Sequence, residues 1–262
     1  MALRLRNLAS GSGGNATLLE ARSGVHTTRV LVDCGLRPAE LERRLQRCDL
    51  GIADLDALFI THEHSDHVGH ARTLAERHGL MLWMSEGTRR ACEAHQWSVS
   101  PTQIGTARDG QALEIGELQL LPFTVPHDAR EPLQLRCTDG NRTLGLVTDL
   151  GHASRHVVAS LQQCHALFLE TNHEPAWVQR SSYPEFLKRR ILSDQGHLSN
   201  DQAAQLLQAL MHPGLNTVIA AHLSERNNQP DQARQALAPV LGCKPEDVRV
   251  ADPAEGSDWI DV

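Results

Sequence analysis

The sequence predicts an α/β fold in which two β-sheets lie between layers of helices. Strand-like patterns dominate the first half of the chain, and helical patterns occur in both halves. No low-complexity linker, charge block or short-period repeat divides the 262 residues. A chain of this length can build one large core, so we expect a single domain over residues 1–262.

The first half alternates short apolar runs with two helical patterns. A helix is expected over residues 38–47, where Pro38 stands at the start and Leu41 and Leu45 share one face. A second helix is expected over residues 68–78. The predicted strands are residues 3–8, 16–20, 29–33, 57–61, 80–84 and 118–125.

The second half begins with a hairpin. Residues 133–138 and 143–148 flank Asp139-Gly140-Asn141, which is a strong turn signal. Ser199 or Asn200 can cap the helix expected over residues 200–211. The other predicted strands are Ala166–Glu170, Thr217–Ala221 and residues 248–250, and the other predicted helices are residues 183–192 and 232–241.

Bulk properties narrow the class of protein. No apolar run has the length of a signal peptide or a membrane span, and none of the six cysteines forms a CxxC pair. We therefore expect a cytoplasmic protein with reduced thiols and no membrane partner. The net charge of −7 does not suggest nucleic acid, but it does not exclude a nuclease with a few cations near a metal site. Fifteen histidines justify a search for metal ligands.

The densest group of candidate ligands directly follows the apolar strand 57–61. His62, His64, Asp66 and His67 fall within six residues, and imidazole and carboxylate bind zinc, manganese or iron well. Alternation along extended chain points His62 and His64 the same way. Asp66 and His67, at the start of the next helix, can then face a second ion. The alternative is a solvated polar loop before a helix.

The stretch from Thr61 to Gly69 resembles the signature of the metallo-β-lactamase superfamily. That resemblance implies an αββα sandwich with metals at one edge of the sheets and further ligands on later strand ends. His127, Asp149 and His222 each follow a predicted strand and match those later positions. Taken alone, His127 could be a loop histidine and Asp149 could be a helix N-cap.

The resemblance implies two divalent ions, either zinc or manganese, with iron as a further candidate. The first ion would bind His62, His64 and His127. The second would bind Asp66, His67 and His222. Asp149 would lie between the two ions. A bridging hydroxide would then be the nucleophile. Asp66 is counted among the catalytic residues as well as among the metal ligands. Asp33 matches a first-motif aspartate that orients the histidine loop from behind the ligands.

Two later residues resemble motifs of the tRNA-processing endonuclease tRNase Z. Glu170 ends a strand, and His197 lies in the loop Gly196-His197-Leu198-Ser199-Asn200 before a helix. An imidazolium held by a carboxylate can give a proton to the departing oxygen of a phosphodiester. The alternatives are an ordinary charge at a strand end and an ordinary loop histidine.

Over most of its length the chain is similar to the YycJ/WalJ type of small bacterial metallo-β-lactamase proteins. Residues 8–15, 126–129, 170–173, 183–184, 187–191 and 221–228 carry this resemblance. It implies a nuclease of DNA-exonuclease type. The chain lacks the β-CASP insertion of larger relatives such as RNase J, so a substrate clamp would need another source, for example a homodimer.

Several polar side chains are candidates for substrate contact. The turn that includes Ser10 and Asn15 could present N–H groups to a phosphate, although a tight hairpin turn explains it as well. Asn227 belongs to the resembling stretch after His222. Backbone phosphates could contact Lys188, Arg189, Arg190 and Arg180, although a solvated helix face would look the same.

Together these features predict a metal-dependent hydrolase that acts on phosphodiester bonds, with nucleic acid as the expected substrate. One alternative is a phosphodiesterase for small cyclic phosphates. Another is a thioester or lactam hydrolase, and a third is a binding protein that keeps the metal for structure. The pair Glu170 and His197 favours a phosphodiester over a thioester.

Overall fold

The computed structural model describes residues 2–95 and 103–262. Within them the first sheet has seven strands in the order β14-β1-β2-β3-β4-β5-β6. Neighbours from β3 to β6 are parallel, whereas β1 pairs antiparallel with β2 and with β14, and β2 with β3. The strands are β1 (Ala2–Ala9), β2 (Ala16–Ser23), β3 (His26–Val32), β4 (Ala57–Phe59), β5 (Met81–Met84), β6 (Ile104–Thr106) and β14 (Ile260–Asp261).

The second sheet also has seven described strands, in the order β13-β12-β11-β10-β9-β8-β7. Neighbours from β10 to β13 are parallel, and those from β7 to β10 are antiparallel. The strands are β7 (Leu113–Ile115), β8 (Leu118–Thr124), β9 (Leu133–Thr138), β10 (Thr143–Val147), β11 (Ala166–Glu170), β12 (Thr217–Ala221) and β13 (Arg249–Val250).

Helices cover the outer faces of both sheets. Within the described residues they are α1 (Pro38–Gln46), α2 (Ser65–Val68), α3 (Ala71–His78), α4 (Glu86–Ala94), α5 (Arg155–Leu161), α6 (Pro175–Arg180), α7 (Glu185–Ile191), α8 (Asn200–Leu210) and α9 (Pro230–Leu241). Leu41 of α1 and Leu74 of α3 pack on the first sheet, and Leu206 of α8 and Leu237 of α9 pack on the second.

Alternation along the strands builds the core in layers. In β1, Leu3 and Leu5 point between the sheets and contact the cluster that includes Phe168 and Ile219 of the second sheet. In β2, Leu18 faces the outer helices while Leu19 faces the second sheet. The predicted αββα sandwich with two mixed sheets is therefore confirmed, whereas the single-domain organisation stays a prediction.

The helix predicted over residues 68–78 is instead two helices, α2 and α3. The chain breaks at Gly69, where φ is +27° and a Cβ would lie 2.5 Å from the carbonyl oxygen of Cys34. This close approach lets the turn that follows β3 pack against the histidine loop. His70 then precedes α3, so the candidate ligands Asp66 and His67 belong to a separate short helix, α2.

The topology brings the carboxyl ends of six strands to one edge of the sandwich: β3, β4, β8, β10, β11 and β12. Strands β3 and β4 are parallel, as are β10, β11 and β12. Strand β8 is antiparallel to β9, which is antiparallel to β10, so β8 runs with β10. A backbone hydrogen bond from Leu133 N–H to Thr61 O joins the two sheets at this edge. Binding sites of open α/β sheets also lie at carboxyl ends of strands.

Candidate metal centre and active site

Three residues within two positions of a strand end at this edge have left-handed backbone. Asp33, Asp149 and His222 have φ values of 63°, 54° and 54°. This region is uncommon for residues other than glycine, and such residues concentrate at functional sites. The sharp turn at each position ends the strand and directs the side chain across the sheet edge.

Three imidazoles form the first set of candidate ligands. His62 Nε2 lies 3.0 Å from His64 Nδ1, and His127 Nε2 lies 3.3 Å from the same atom. His62 and His127 are buried, and His64 lies on the cavity wall. Three ring nitrogens at this mutual distance match the spacing of ligands around one ion.

The second set contains Asp66, His67 and His222. His67 Nε2 lies 3.5 Å from Asp66 Oδ2, and His222 Nε2 lies 3.9 Å from the same oxygen. Asp149 lies between the sets: its Oδ2 is 3.2 Å from His67 Nε2, and its Oδ1 is 3.6 Å from His222 Nε2 and 3.8 Å from His127 Nε2.

Two buried atoms at this centre lack a hydrogen-bond partner of acceptable geometry. They are Asp149 Oδ2 and His222 Nε2, although Asp149 Oδ2 approaches His67. Such atoms are costly unless something else satisfies them. Nitrogen and carboxylate donors in compact groups suit zinc or manganese. The residues present therefore fit divalent metal ions.

Neighbouring groups hold the other ring nitrogen of most candidate ligands. His67 Nδ1 lies 2.7 Å from Asp33 Oδ2, His62 Nδ1 lies 3.0 Å from Thr61 Oγ1, and His127 Nδ1 lies 3.0 Å from Gly196 O. Asp33 Oδ1 also accepts the Thr61 backbone N–H at 2.9 Å. Such contacts fix ring orientation in metal sites. Asp33 thus contacts a ligand from behind, as the sequence led us to expect.

Glu170 is fully buried and contacts three parts of the site. It accepts backbone N–H groups from Asp149, Leu150 and Leu198 at 3.1, 2.8 and 3.0 Å. Its Oε1 also lies 2.8 Å from His197 Nδ1 and 3.3 Å from His222 Nδ1. Burial opposes its charge, but the neighbouring His197 and His222 outweigh it and lower the pKa of Glu170 to about 2.

The central carboxylate stays ionised despite its burial. Burial would raise the pKa of Asp149, but His222 and His67 hold it well below its usual range. The reverse holds for His222: burial would lower its pKa, but Asp149 and Asp66 raise it to about 10. The centre therefore keeps a full negative charge on Asp149, which is what a bound cation needs.

A cavity of about 370 Å³ opens over these residues. His64, Asp66, Asp149, His197 and His222 line it. Glu170 does not line the cavity, so it can act only through the residues that it contacts, as a positioning residue. Several further residues line the cavity although no sequence motif predicts a role for them: Ser12, Ser65, Asp128, Asn172, Tyr183, Leu187, Ile191 and Ser224.

Three proposed substrate contacts are buried behind the cavity. Ser10 Oγ accepts the backbone N–H of His222 at 2.8 Å, and Asn15 Nδ2 lies 3.0 Å from His67 Nε2. Asn227 is 1% exposed and donates to Ser224. The structure places these side chains in contact with the ligand loops instead of the cavity. Of the glycine-rich turn, Ser12 is exposed and lines the cavity.

The basic residues of α7 also differ in whether their side chains reach the cavity. Arg190 lines the cavity, pairs with Asp128, and has Nη2 3.5 Å from His64 Nε2. Lys188 instead turns back to donate to Gln179 O at 2.9 Å and to Glu185 at 3.1 Å. Arg189 is exposed on the helix surface. Of the three, only Arg190 reaches the cavity.

Comparison with known proteins agrees with this geometry. A model of the β-lactamase superfamily domain matches residues 28–222, which include every candidate metal ligand. The chain belongs to the β-lactamase superfamily. It is a hydrolase with a divalent-metal site, and the histidine and aspartate groups described above could hold the metal.

Similar relatives of this superfamily cover nearly the whole chain. It is 33% identical over 241 residues to exodeoxyribonuclease YycJ of Bacillus anthracis, covering 92% of this chain and 90% of the relative. It is 32% identical over 236 residues to exodeoxyribonuclease WalJ of Streptococcus pneumoniae, covering 89% and 86%.

A solved structure supports the fold. The metallo-β-lactamase fold protein YhfI of Bacillus subtilis superimposes with a TM-score of 0.74 at 18% identity, covering both chains completely. No helix in the described residues is long and apolar enough to span a membrane.

Proposed function

We propose that this protein is a phosphodiesterase with two divalent metal ions, and that its substrate is nucleic acid, in the first place DNA degraded from an end. The observation that carries the proposal is the position of His197. It lies on the wall of a cavity that His64 of the first ligand set and Asp66 and His222 of the second also line, and its Nδ1 contacts the buried Glu170. The names of the relatives YycJ and WalJ support DNA as the substrate.

One ion would be held by His62, His64 and His127, and the other by Asp66, His67 and His222, with Asp149 facing both. Bound divalent ions supply activation of water and neutralise phosphate charge. Zinc and manganese fit the donor set, and iron stays a further candidate.

His197 is the proposed proton donor. Because Nδ1 contacts Glu170 at 2.8 Å, Nε2 is the nitrogen available to the oxygen that leaves phosphorus. Glu170 holds this orientation and stabilises positive charge on the ring. Arg190 supplies a guanidinium on the same wall, which can contact a phosphate oxygen.

Three further expectations belong with this proposal. The chain would be a single domain over residues 1–262 without a β-CASP insertion, and it would act in the cytoplasm. All six cysteines are unpaired, which supports a reducing compartment. A homodimer would supply any additional substrate clamp.

The test is a comparison of substrates on the metal-reconstituted protein. We expect it to cleave bis-p-nitrophenyl phosphate and end-labelled DNA or RNA in preference to nitrocefin and lactoylglutathione. Single- and double-stranded oligonucleotides are compared in the same assay. Asp149→Asn, purified identically, controls for contaminating nucleases and should lose nearly all turnover.

The outcome also decides between the alternatives. Turnover of a small cyclic phosphate without oligonucleotide cleavage would indicate the small-molecule phosphodiesterase. Efficient lactam or thioester turnover without phosphodiesterase activity would overturn the proposal.

A further inference from the structure

Asp128 directly follows the candidate ligand His127 and lines the cavity, but the chemistry proposed above gives it no role. Its carboxylate accepts two hydrogen bonds from one guanidinium: Oδ2 accepts from Arg190 Nε, and Oδ1 accepts from Arg190 Nη2 at 3.2 Å. A forked pair of this kind fixes the plane of the guanidinium as well as its position. Among the described residues, Arg190 is the one arginine or lysine that lines the cavity, so its orientation sets where a guanidinium can meet a substrate phosphate.

The packing of α7 does not by itself hold the Arg190 side chain in place. All residues of α7 are described, and none of them is buried. The end of the helix is tied to the loop of the proposed proton donor through its backbone, because His197 N–H donates to Ile191 O at 3.1 Å. That bond sets the position of the helix end but does not restrict the Arg190 side chain, which is 50% exposed. The forked pair with Asp128 does restrict it.

The backbone on both sides of the Asp128 carboxylate is anchored. Asp128 N–H donates to Gln195 O at 3.0 Å, and two residues later Arg130 N–H donates to Glu63 Oε1 at 2.8 Å. The carboxylate therefore extends from a fixed point at the sheet edge. Because these two backbone contacts do not involve the carboxylate, a substitution of Asp128 can remove the pair with the guanidinium and leave the loop in place.

A further metal ligand is the other role that this position suggests. Asp128 Oδ1 lies 3.5 Å from His127 Nε2. Its distance of 3.8 Å to His64 is to Nε2, whereas Nδ1 is the nitrogen of His64 that faces the other ligands. Both carboxylate oxygens also contact Arg190, whose positive charge opposes a cation at the same place. The geometry therefore favours an anchor for Arg190 over a metal ligand.

We propose that Asp128 is a positioning residue that holds the guanidinium of Arg190 toward a substrate phosphate in the cavity. The pair occupies Nε and Nη2, so Nη1 is left for a phosphate oxygen. Without the pair the guanidinium would sample many rotamers, and binding would cost the entropy of ordering it. Asp128 thus acts on the substrate only through Arg190. This inference rests on the function proposed above, since it requires a substrate phosphate in the cavity.

The experiment compares four full-length, metal-loaded proteins: wild type, Asp128→Asn, Arg190→Gln and the double variant. Asparagine keeps the size of the side chain and removes its charge, and Asp128→Ala serves as a second way to remove the pair. The dissociation constant is measured by fluorescence anisotropy on a phosphorothioate DNA duplex, which resists cleavage. Turnover of bis-p-nitrophenyl phosphate and metal content by elemental analysis are measured on the same samples.

Arg190→Gln should weaken duplex binding about 10- to 100-fold, the scale of one charged hydrogen bond. Asp128→Asn should weaken it by about 2- to 10-fold, the cost of ordering one long side chain on binding. It should also raise KM for bis-p-nitrophenyl phosphate more than it lowers kcat, with metal content unchanged. In the double variant the loss should equal that of Arg190→Gln alone, because Asp128 then has nothing to position.

Glu86→Gln is the matched control. Glu86 forms the same forked pair with Arg89 on α4, with guanidinium Nε and Nη2 each 3.0 Å from one carboxylate oxygen, but neither residue lines the cavity. Loss of this pair should leave duplex binding, turnover and metal content unchanged. A binding loss in Glu86→Gln as large as that in Asp128→Asn would mean that any lost ion pair has this effect, and the inference would be wrong.

Four further results would overturn the inference. Duplex binding could be unchanged in Asp128→Asn, or the two losses could multiply in the double variant, and either result would show that Asp128 does not act through Arg190. Loss of metal from Asp128→Asn would make Asp128 part of the metal centre. Tighter binding in Asp128→Asn would show that the pair masks Arg190 instead of presenting it.

These outcomes are distinct from failure of the proposed function. Each of them can occur in a protein that binds and cleaves DNA, and the proposed function would then stand while the role of Asp128 falls. A wild-type protein that neither binds nor cleaves any oligonucleotide overturns both.

Discussion

Glu170 holds three parts of the active site in one arrangement. Its carboxylate contacts His197, the candidate ligand His222 and the backbone after β10, which includes Asp149. A change at Glu170 therefore affects ligand geometry as well as the proposed proton donor. Glu170→Gln should lower both metal affinity and turnover, whereas a change at His197 should affect turnover alone.

We expect His197→Ala to lower kcat by about 10²- to 10⁴-fold, because a general acid contributes on this scale. Both metals should remain bound, since His197 is not among the proposed ligands. The loss should shrink for a substrate with a p-nitrophenolate leaving group, which departs without a proton. Steady-state kinetics on good and poor leaving groups, with metal analysis of the same samples, measure this.

Two results would contradict this role. Loss of a metal ion from His197→Ala would make His197 a ligand. An equal loss for both leaving groups would mean that His197 binds the phosphate instead of protonating the leaving oxygen. When metal is saturating, so that the effect of Glu170 on metal affinity is removed, the double variant with Glu170→Gln should cost little beyond His197→Ala on kcat, because residues acting as a unit are not additive.

The sequence alone predicts some residues of the active site and not others. Asp149 and His222 could be proposed because each follows an apolar strand at a position that matches a ligand of the superfamily that the chain resembles. The alternative reading of Asp149 as a helix cap is wrong, since α5 begins at Arg155 and Ser154 Oγ accepts the Val157 N–H. Tyr183 could not be located, because its place depends on how α7 packs over a distant sheet edge.

Helix α7 is the element whose side chains divide between the cavity and the surface. Arg190 reaches the cavity, whereas Lys188 is held by Gln179 and Glu185. A run of three basic residues cannot be resolved into these roles without the helix orientation. Short elements such as β6, β7, α6 and β14 were missed for a related reason: they contain too few residues for a periodic pattern.

Arg190→Gln should weaken binding of single-stranded oligonucleotide more than Lys188→Gln does. The slope of log K against log salt should become shallower by about 0.7 for Arg190→Gln, the value for one lost phosphate contact on a single strand. Arg77→Gln on α3, at the outer helical layer, serves as a control. Fluorescence anisotropy at several salt concentrations gives these slopes, and equal slopes for all three variants would remove Arg190 from the substrate path.

Strands β1 to β3 are joined by a buried ion cluster. Glu20 is fully buried and lies 2.7, 2.5 and 2.8 Å from nitrogens of Arg4, Arg22 and Arg29. Burial would raise the pKa of Glu20, but its hydrogen bonds to these arginines outweigh this and lower it. The folded state therefore gains stability from ionised Glu20 above the ordinary pKa of 4.5, and loses it as pH falls through the depressed value.

Glu20→Gln should therefore destabilise the protein at pH 7, by on the order of 3 kcal/mol, because three arginines lose their partner. The difference from wild type should shrink as the pH is lowered below about 4.5. Urea unfolding of both proteins from pH 7 to pH 3 measures it. A difference that stays constant over this range would mean that packing, not charge, accounts for the effect.

At the scale of the whole molecule, function depends on two sheets that place their carboxyl strand ends at one edge. The hydrophobic pattern predicted two sheets between helices, because alternating or continuous apolar residues in a strand indicate whether one or both of its faces are buried. The pairing order of fourteen described strands was not predictable, since it depends on contacts between distant segments. The ligands nevertheless meet because each lies in the segment that follows a strand at this edge.

The central claim is that seven side chains form a two-metal centre that cleaves phosphodiester bonds. Its most direct measurement is turnover of end-labelled single-stranded DNA as metal is added stepwise to metal-free protein. We predict no cleavage without metal, a rise that saturates near two equivalents, and for Asp149→Ala loss of most of one bound equivalent and nearly all turnover. Full activity in protein shown by elemental analysis to contain no metal would contradict the account.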